Sequence, residues 1–146
     1  MALHALVEEL LQAQAARIQA TGLQVENRIP AELHASGERF LLRQAIANLL
    51  DNALDFTPPG GLLRFRAALV DGAVQLSLFN QGEAIPDYAL ARLSERFYSL
   101  PRPGSGRKST GLGLNFVQEV AGLHGGQLHI GNCPGGVEAS LTLPAA

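Results

Sequence analysis

Ala45-Ile-Ala-Asn48-Leu-Leu-Asp-Asn52-Ala-Leu-Asp55-Phe56-Thr-Pro-Pro59 places two carboxamides inside a strongly apolar run. At 100° per residue, Gln44, Asn48, Asn52 and Asp55 fall on one stripe of a helix, and Leu42, Ile46, Leu49 and Ala53 gather on the opposite side. Asparagine is a mediocre helix former because its side chain competes with the backbone for hydrogen bonds. Two of them on one face admit two readings. One is a solvated outer face; the other is a site where hard carboxamide oxygens meet Mg²⁺ in company with substrate phosphates.

The flanking segments are read from their periodicity. Leu3, Leu6, Val7, Leu10, Leu11 and Ile18 recur at helical spacing, which predicts one amphipathic helix over residues 3–20, stopped by Thr21-Gly22. An alternating segment, Leu23 to Arg28, predicts a strand, and Pro30 to Gly37 connects it to the amide-bearing helix, expected over Glu38–Leu54 and ended by Pro58-Pro59-Gly60-Gly61. Leu63, Phe65, Ala67 and Leu69, then Val74, Leu76 and Leu78, alternate with polar residues around Asp71-Gly72, a two-residue hairpin signal. A turn at Asn80-Gln-Gly-Glu-Ala-Ile-Pro86 precedes a short helical piece from Asp87 to about Phe97. Leu112 to Leu123 resumes helical spacing and is expected to be buried over much of its surface. Gln127–Asn132 and Val137–Leu143 then read as a second hairpin around Cys-Pro-Gly-Gly. The order α, β, α, β, β, α, β, β predicts an α/β fold with helices packed on one face of a mainly antiparallel sheet.

The 146 residues and 15.4 kDa suit a single domain spanning residues 1–146 with a substantial core. A net charge of −2 and no basic patch argue against nucleic acid as a partner. No apolar window is long enough to cross a bilayer, so direct membrane contact is not expected. The lone Cys133 fits a reducing compartment, and His4, His34, His124 and His129 lack a metal-ligand spacing and are read as structural or exposed. Met1-Ala-Leu-His4 lacks the features of a signal peptide, so any targeting information is expected elsewhere.

Ser105-Gly-Arg-Lys-Ser-Thr-Gly-Leu-Gly-Leu114 runs a glycine-rich loop into a helix, which offers open backbone amides to an anion. It is not a Walker A loop, because the Gly-Lys pair is missing and no strand precedes it. Arg107 and Lys108 are either phosphate contacts or solvated loop charges.

Taken together, the Asn48/Asn52 helix, the Asn80-x-Gly82 turn, Glu95-Arg-Phe97-Tyr98 and Thr110-Gly111-Leu112-Gly113-Leu114 occur in an order that resembles the ATP-binding catalytic domain of sensor histidine kinases, of the GHKL superfamily and Bergerat fold. The resemblance spans essentially the whole chain. It implies a two-layer α/β sandwich: a mixed, mostly antiparallel sheet of about five strands with three main helices on one face. It further implies that ATP lies between the asparagine helix and a lid at about residues 99–110. In that reading Asn52 is the principal Mg²⁺ ligand and Asn48 assists. Asp55 lies beside the nucleotide, Phe56 packs on the adenine, Asn80 meets its amino group, and Gly82 and Ile85 let the chain approach the base. Phe97 and Tyr98 anchor the lid, while Lys108 and Thr110 through Leu114 close over the phosphates. The γ-phosphoryl group would go to a histidine on the protein's own dimerisation and phosphoacceptor domain, with a response regulator acting afterwards. The implied location is the cytoplasmic part of an inner-membrane sensor, with phosphoacceptor and sensor domains outside these residues.

Several positions depart from the family pattern. Asn80 stands where Asp usually accepts from the adenine amino group, Asp55 where Lys commonly approaches phosphate, Ser99 where Arg is frequent, and Ala84 where a second glycine is usual. Related ATPases carry a general-base Glu four residues before the metal-binding Asn; here that residue is Asn48, which disfavours water-driven hydrolysis and favours transfer to histidine. The alternative is a non-catalytic nucleotide-binding or interaction module of the same fold.

Overall fold

Leu63 and Phe65 alternate with Arg64 and Arg66, which demands a strand with one dry face and one wet face. The computed structural model, which describes residues 1–90, 92 and 113–146, builds its sheet on that polarity. Five strands, β1 (Gln24–Asn27), β2 (Leu62–Val70), β3 (Ala73–Gln81), β4 (Leu128–Cys133) and β5 (Gly136–Pro144), lie in the order β1-β2-β3-β5-β4. β1 runs parallel to β2, and every other pairing is antiparallel. The helices are α1 (Leu3–Ala13), α2 (Ala15–Thr21), α3 (Arg39–Phe56), the short α4 (Asp87–Leu90) and α5 (Gly113–Leu123). With α1, α3 and α5 against the apolar face, the expected two-layer α/β sandwich is the observed one.

On the inner face, Leu63, Phe65, Val74, Leu76, Leu141 and Leu143 are all at most 1% exposed and meet Leu42, Ile46 and Leu50 of α3. Each such burial stabilises the fold by about 1.5–3 kcal/mol. The outer face carries an ionic lattice: Glu26 pairs with Arg64 (3.1 Å) and Arg28 (2.8 Å), and Arg66 with Glu138 (3.2 Å). Exposed pairs gain little because water screens them, so the apolar layer sets stability and the lattice trims it.

Asp71 and Gly72 both have positive φ, 52° and 80°, and join Val70 to its partner Ala73, so the predicted hairpin forms with a primed turn. α3 starts at Arg39 because the Glu38 side chain accepts the Leu41 amide at 2.8 Å, and it runs two residues past the expected Leu54 before Thr57 caps it through Ala53 O. Two sequence expectations change. The predicted continuous helix over 3–20 is broken at Gln14 (φ −104°, ψ 12°), because α1 buries Leu3, Leu6, Val7 and Leu10 whereas α2 has no buried residue to keep it on the same axis. α5 buries Val117, Val120 and Ala121 only; Leu123 is 76% exposed, since its side of the helix faces away from α3 and the sheet. The helical piece after Asp87 is described to Leu90 only. The expected lid at 99–110, with Ser99, Arg102 and Arg107, lies outside the described residues.

Three of the four histidines make hydrogen bonds within the fold, and His129 is exposed. His4 Nδ1 bonds Ile29 O (2.8 Å), His34 Nδ1 bonds Glu32 O (2.8 Å), and His124 joins Val120 O to the Glu38 amide. No cluster of three or more potential metal-ligating His, Cys, Asp or Glu residues exists among the described residues, and no helix among them is long and apolar enough to cross a membrane.

Candidate nucleotide site

The amide stripe of α3 emerges half-buried along the edge of the helical layer. Asn48 is held from both sides: Gln44 Nε2 donates to its Oδ1 at 2.7 Å, and its Nδ2 donates to Gly113 O at 3.3 Å. The bond to Gly113 joins the middle of the asparagine helix to the first residue of α5, so the structure brings two of the sequence-predicted segments together. Asn52 lies one turn further along the same stripe, also half-buried.

Asp55 follows on that stripe and meets a partner the sequence did not suggest. Arg17 of α2 bonds Asp51 at 2.8 Å and also pairs with Asp55, so one guanidinium spans both carboxylates. The extra negative charge that Asp55 introduces is thereby offset locally. Phe56 ends the helix half-buried, and its carbonyl oxygen would lie 3.1 Å from a Cβ placed on Gly82. Glycine at 82 thus permits the turn after β3 to approach the end of α3.

Asn80 continues the inward series Val74, Leu76, Leu78 on β3 and is only 8% exposed. Its carboxamide makes no hydrogen bond to another described side chain or backbone group, and its Nδ2 lies 3.8 Å from the Cβ position of Gly82. No side-chain polar atom among the described residues is sealed from water without a partner, so this carboxamide can exchange water for a ligand's hydrogen bonds. Ile85 is placed by Asn132 of β4: Asn132 Oδ1 accepts from Ile85 N at 2.7 Å and Asn132 Nδ2 donates to Ile85 O at 2.9 Å. Gly113 is exposed and Leu114 half-buried at the start of α5. Phe97, Tyr98, Lys108, Thr110, Gly111 and Leu112 lie outside the described residues.

Sequence reasoning missed Gln44 as an orienting donor, Arg17 as a counter-charge, and Asn132 and Gly136 as supports of the post-β3 turn. A Cβ on Gly136 would sit 2.1 Å from Asn80 O, which requires glycine there. Among the titratable groups near this end, burial and then the Glu138 carboxylate push the Cys133 thiol above its ordinary value, so it remains protonated at neutral pH.

A family model described as histidine kinase-, DNA gyrase B-, and HSP90-like ATPase matches residues 37–146, and the chain belongs to that family. Within it the chain is 51% identical over 115 residues to the sensor protein CreC of Escherichia coli (strain K12), an alignment that takes in 78% of this chain and 24% of that protein. The chain thus spans about a quarter of the length of that relative. Among solved structures, the catalytic domain of the histidine kinase ThkA superposes with a TM-score of 0.87 at 22% identity, covering 99% of this chain and 93% of that one. Full-length ShkA in complex with AMPPNP superposes with a TM-score of 0.83 at 25% identity, covering 100% of this chain and 30% of that chain.

Proposed function

We propose that this chain is the catalytic, ATP-binding domain of a two-component sensor kinase. It binds ATP with Mg²⁺ and presents the γ-phosphorus to an imidazole nitrogen of a separate dimerisation and phosphoacceptor domain, with ADP leaving and a response regulator receiving the phosphoryl group afterwards. The supporting observation is that α3 is met at two points: Asn48 by Gly113 at the start of α5, and the Phe56 carbonyl at its end by the turn after β3 at Gly82. That ShkA, of the same fold, forms a complex with AMPPNP supports nucleotide binding by this chain.

In this reading Asn80, Gly82, Ile85 and Phe56 serve the adenine end. Asn48, Asn52 and Asp55 serve the triphosphate end with Gly113 and Leu114, and Phe97, Tyr98, Lys108 and Thr110 through Leu112 complete it. Asn52 is the principal metal ligand and Asn48 assists. The donor set fits Mg²⁺, a hard ion that takes few protein oxygens alongside phosphate oxygens and water. Asn48 Oδ1 accepts one bond from Gln44 and retains a second lone pair. Bound there, the ion would neutralise charge on the β- and γ-phosphates during transfer. A carboxamide at 48 gives no general base for water, so transfer to histidine is favoured over hydrolysis. The domain is read as the cytoplasmic part of an inner-membrane sensor.

The test supplies radiolabelled ATP, Mg²⁺ and a separately produced phosphoacceptor domain of such a sensor. Label on that histidine with the wild type and none with Asn52→Ala is expected. Nucleotide binding without labelled histidine would instead support a non-catalytic module of the same fold.

A further inference from the structure

Outside the residues treated so far as meeting ATP, the end of β4, beside the turn into β5, carries a carboxamide whose two ends are both used on a single distant peptide. Asn132 Oδ1 accepts from Ile85 N (2.7 Å) and Asn132 Nδ2 donates to Ile85 O (2.9 Å), across 47 positions of sequence. An amide side chain that both donates to and accepts from one residue reproduces the paired bonds of an antiparallel ladder. The segment around Ile85 is not in a strand, so the side chain stands in for the missing partner.

Two backbone contacts fasten the preceding residues to the same turn. Gly82 N donates to Gly135 O at 3.2 Å, and Gly136 packs with no room for a Cβ against Asn80 O. Glu83, Ala84 and Pro86 are all exposed. Asn132 is therefore the side chain that fixes how the chain leaves Gly82 and passes Ile85. On its other side the same segment meets the Phe56 carbonyl at Gly82 and the Asn80 carboxamide.

We propose that Asn132 is a positioning residue for the base end of the nucleotide site: by fixing the Ile85 peptide it sets the wall that the purine packs against. The inference rests on the ATP-binding reading above. Asn132 touches Ile85 rather than the nucleotide, and Asn132→Asp keeps the acceptor for Ile85 N while setting a carboxylate against Ile85 O.

Calorimetric titration of the chain with ATP, ADP and adenosine, with and without Mg²⁺, tests this on the wild type, Asn132→Ala and Asn132→Asp, well below the melting temperature of each. Asn132→Ala is expected to weaken all three ligands by a similar factor of about tenfold, the loss of two modest hydrogen bonds. The Mg²⁺ dependence of ATP binding should stay that of the wild type. Asn132→Asp should show an equal or larger loss, and the Ile85 amide, which donates to Asn132 Oδ1 in the wild type, should exchange its hydrogen faster in both variants. A lower melting temperature with unchanged dissociation constants would overturn the proposal and leave Asn132 a purely structural staple. A loss confined to ATP with Mg²⁺ would also overturn it. A wild type that binds none of the three ligands would overturn the ATP-binding reading itself, an outcome distinguishable from failure of the Asn132 variants alone.

Discussion

Asn48 Nδ2 donates to the carbonyl oxygen of Gly113 at 3.3 Å, tying the centre of the asparagine helix to the first residue of α5. In the proposed function Asn48 stands where related ATPases hold a general base, and its carboxamide, which connects two elements here, is no proton acceptor near neutral pH. Asn48→Glu removes the donor and supplies a carboxylate. The expected outcome is phosphate release from ATP above the wild-type level in the absence of any histidine acceptor, together with reduced labelling of a phosphoacceptor domain. A phosphate-release assay with no increase would place residue 48 away from the γ-phosphate.

Arg17 spans Asp51 and Asp55 from α2. Arg17→Ala is expected to cost at most about 1 kcal/mol of stability, because both partners remain partly solvated. Its larger effect should fall on the triphosphate: ATP binding weakens more than adenosine binding, and the difference shrinks as salt is raised. Equal losses for the two ligands by calorimetry would make Arg17 a connection between helices with no part in charge balance.

Asn80 offers a carboxamide that is 8% exposed and lacks a partner among the described residues. An Asp at that place would only accept, and would oppose the O6 of guanine, whereas an amide donates as well as accepts. ATP over GTP selectivity is therefore expected to rise in Asn80→Asp. Titration of both nucleotides into both proteins checks this, and unchanged relative affinity would remove Asn80 from the base-recognition set.

Glu26 on the outer sheet face has its carboxyl held below the ordinary glutamate range, first by the hydrogen bond from Arg64, against partial desolvation, with Arg28 adding to the effect. A depressed folded-state value means that this contribution is complete above about pH 4.3, the ordinary value, and is lost as pH falls through the folded-state value. Denaturant melts from neutral pH down to about pH 3 should show a shallower acid loss for Glu26→Gln than for the wild type. Identical slopes would mean that the Arg64 and Arg28 contacts are made equally in the unfolded chain.

Local chemistry made much of the fold legible. The Asn48/Asn52 stripe followed from helical period, the β2–β3 turn from Asp71-Gly72, and the end of α2 from Gly22, which adopts the left-handed conformation (φ 66°). What escaped depends on distance in sequence. Nothing local marks Arg17 as the partner of a residue 38 positions on, or Asn132 as the clamp on Ile85. The break at Gln14 was equally silent, because glutamine is no helix breaker and the bend follows from which leucines find the core. Leu123 misled because helical spacing reports which residues share a side and not how far the neighbouring layer extends.

The central claim is that a pair of amides one turn apart on α3 holds the metal-bound triphosphate. Its most direct measurement is the dissociation constant of ATP with and without Mg²⁺ for the wild type and Asn52→Ala. The expected result is tight binding by the wild type only when Mg²⁺ is present, and at least a tenfold loss in the variant that removes most of the metal dependence. Equal affinities for the two proteins in Mg²⁺ would contradict it.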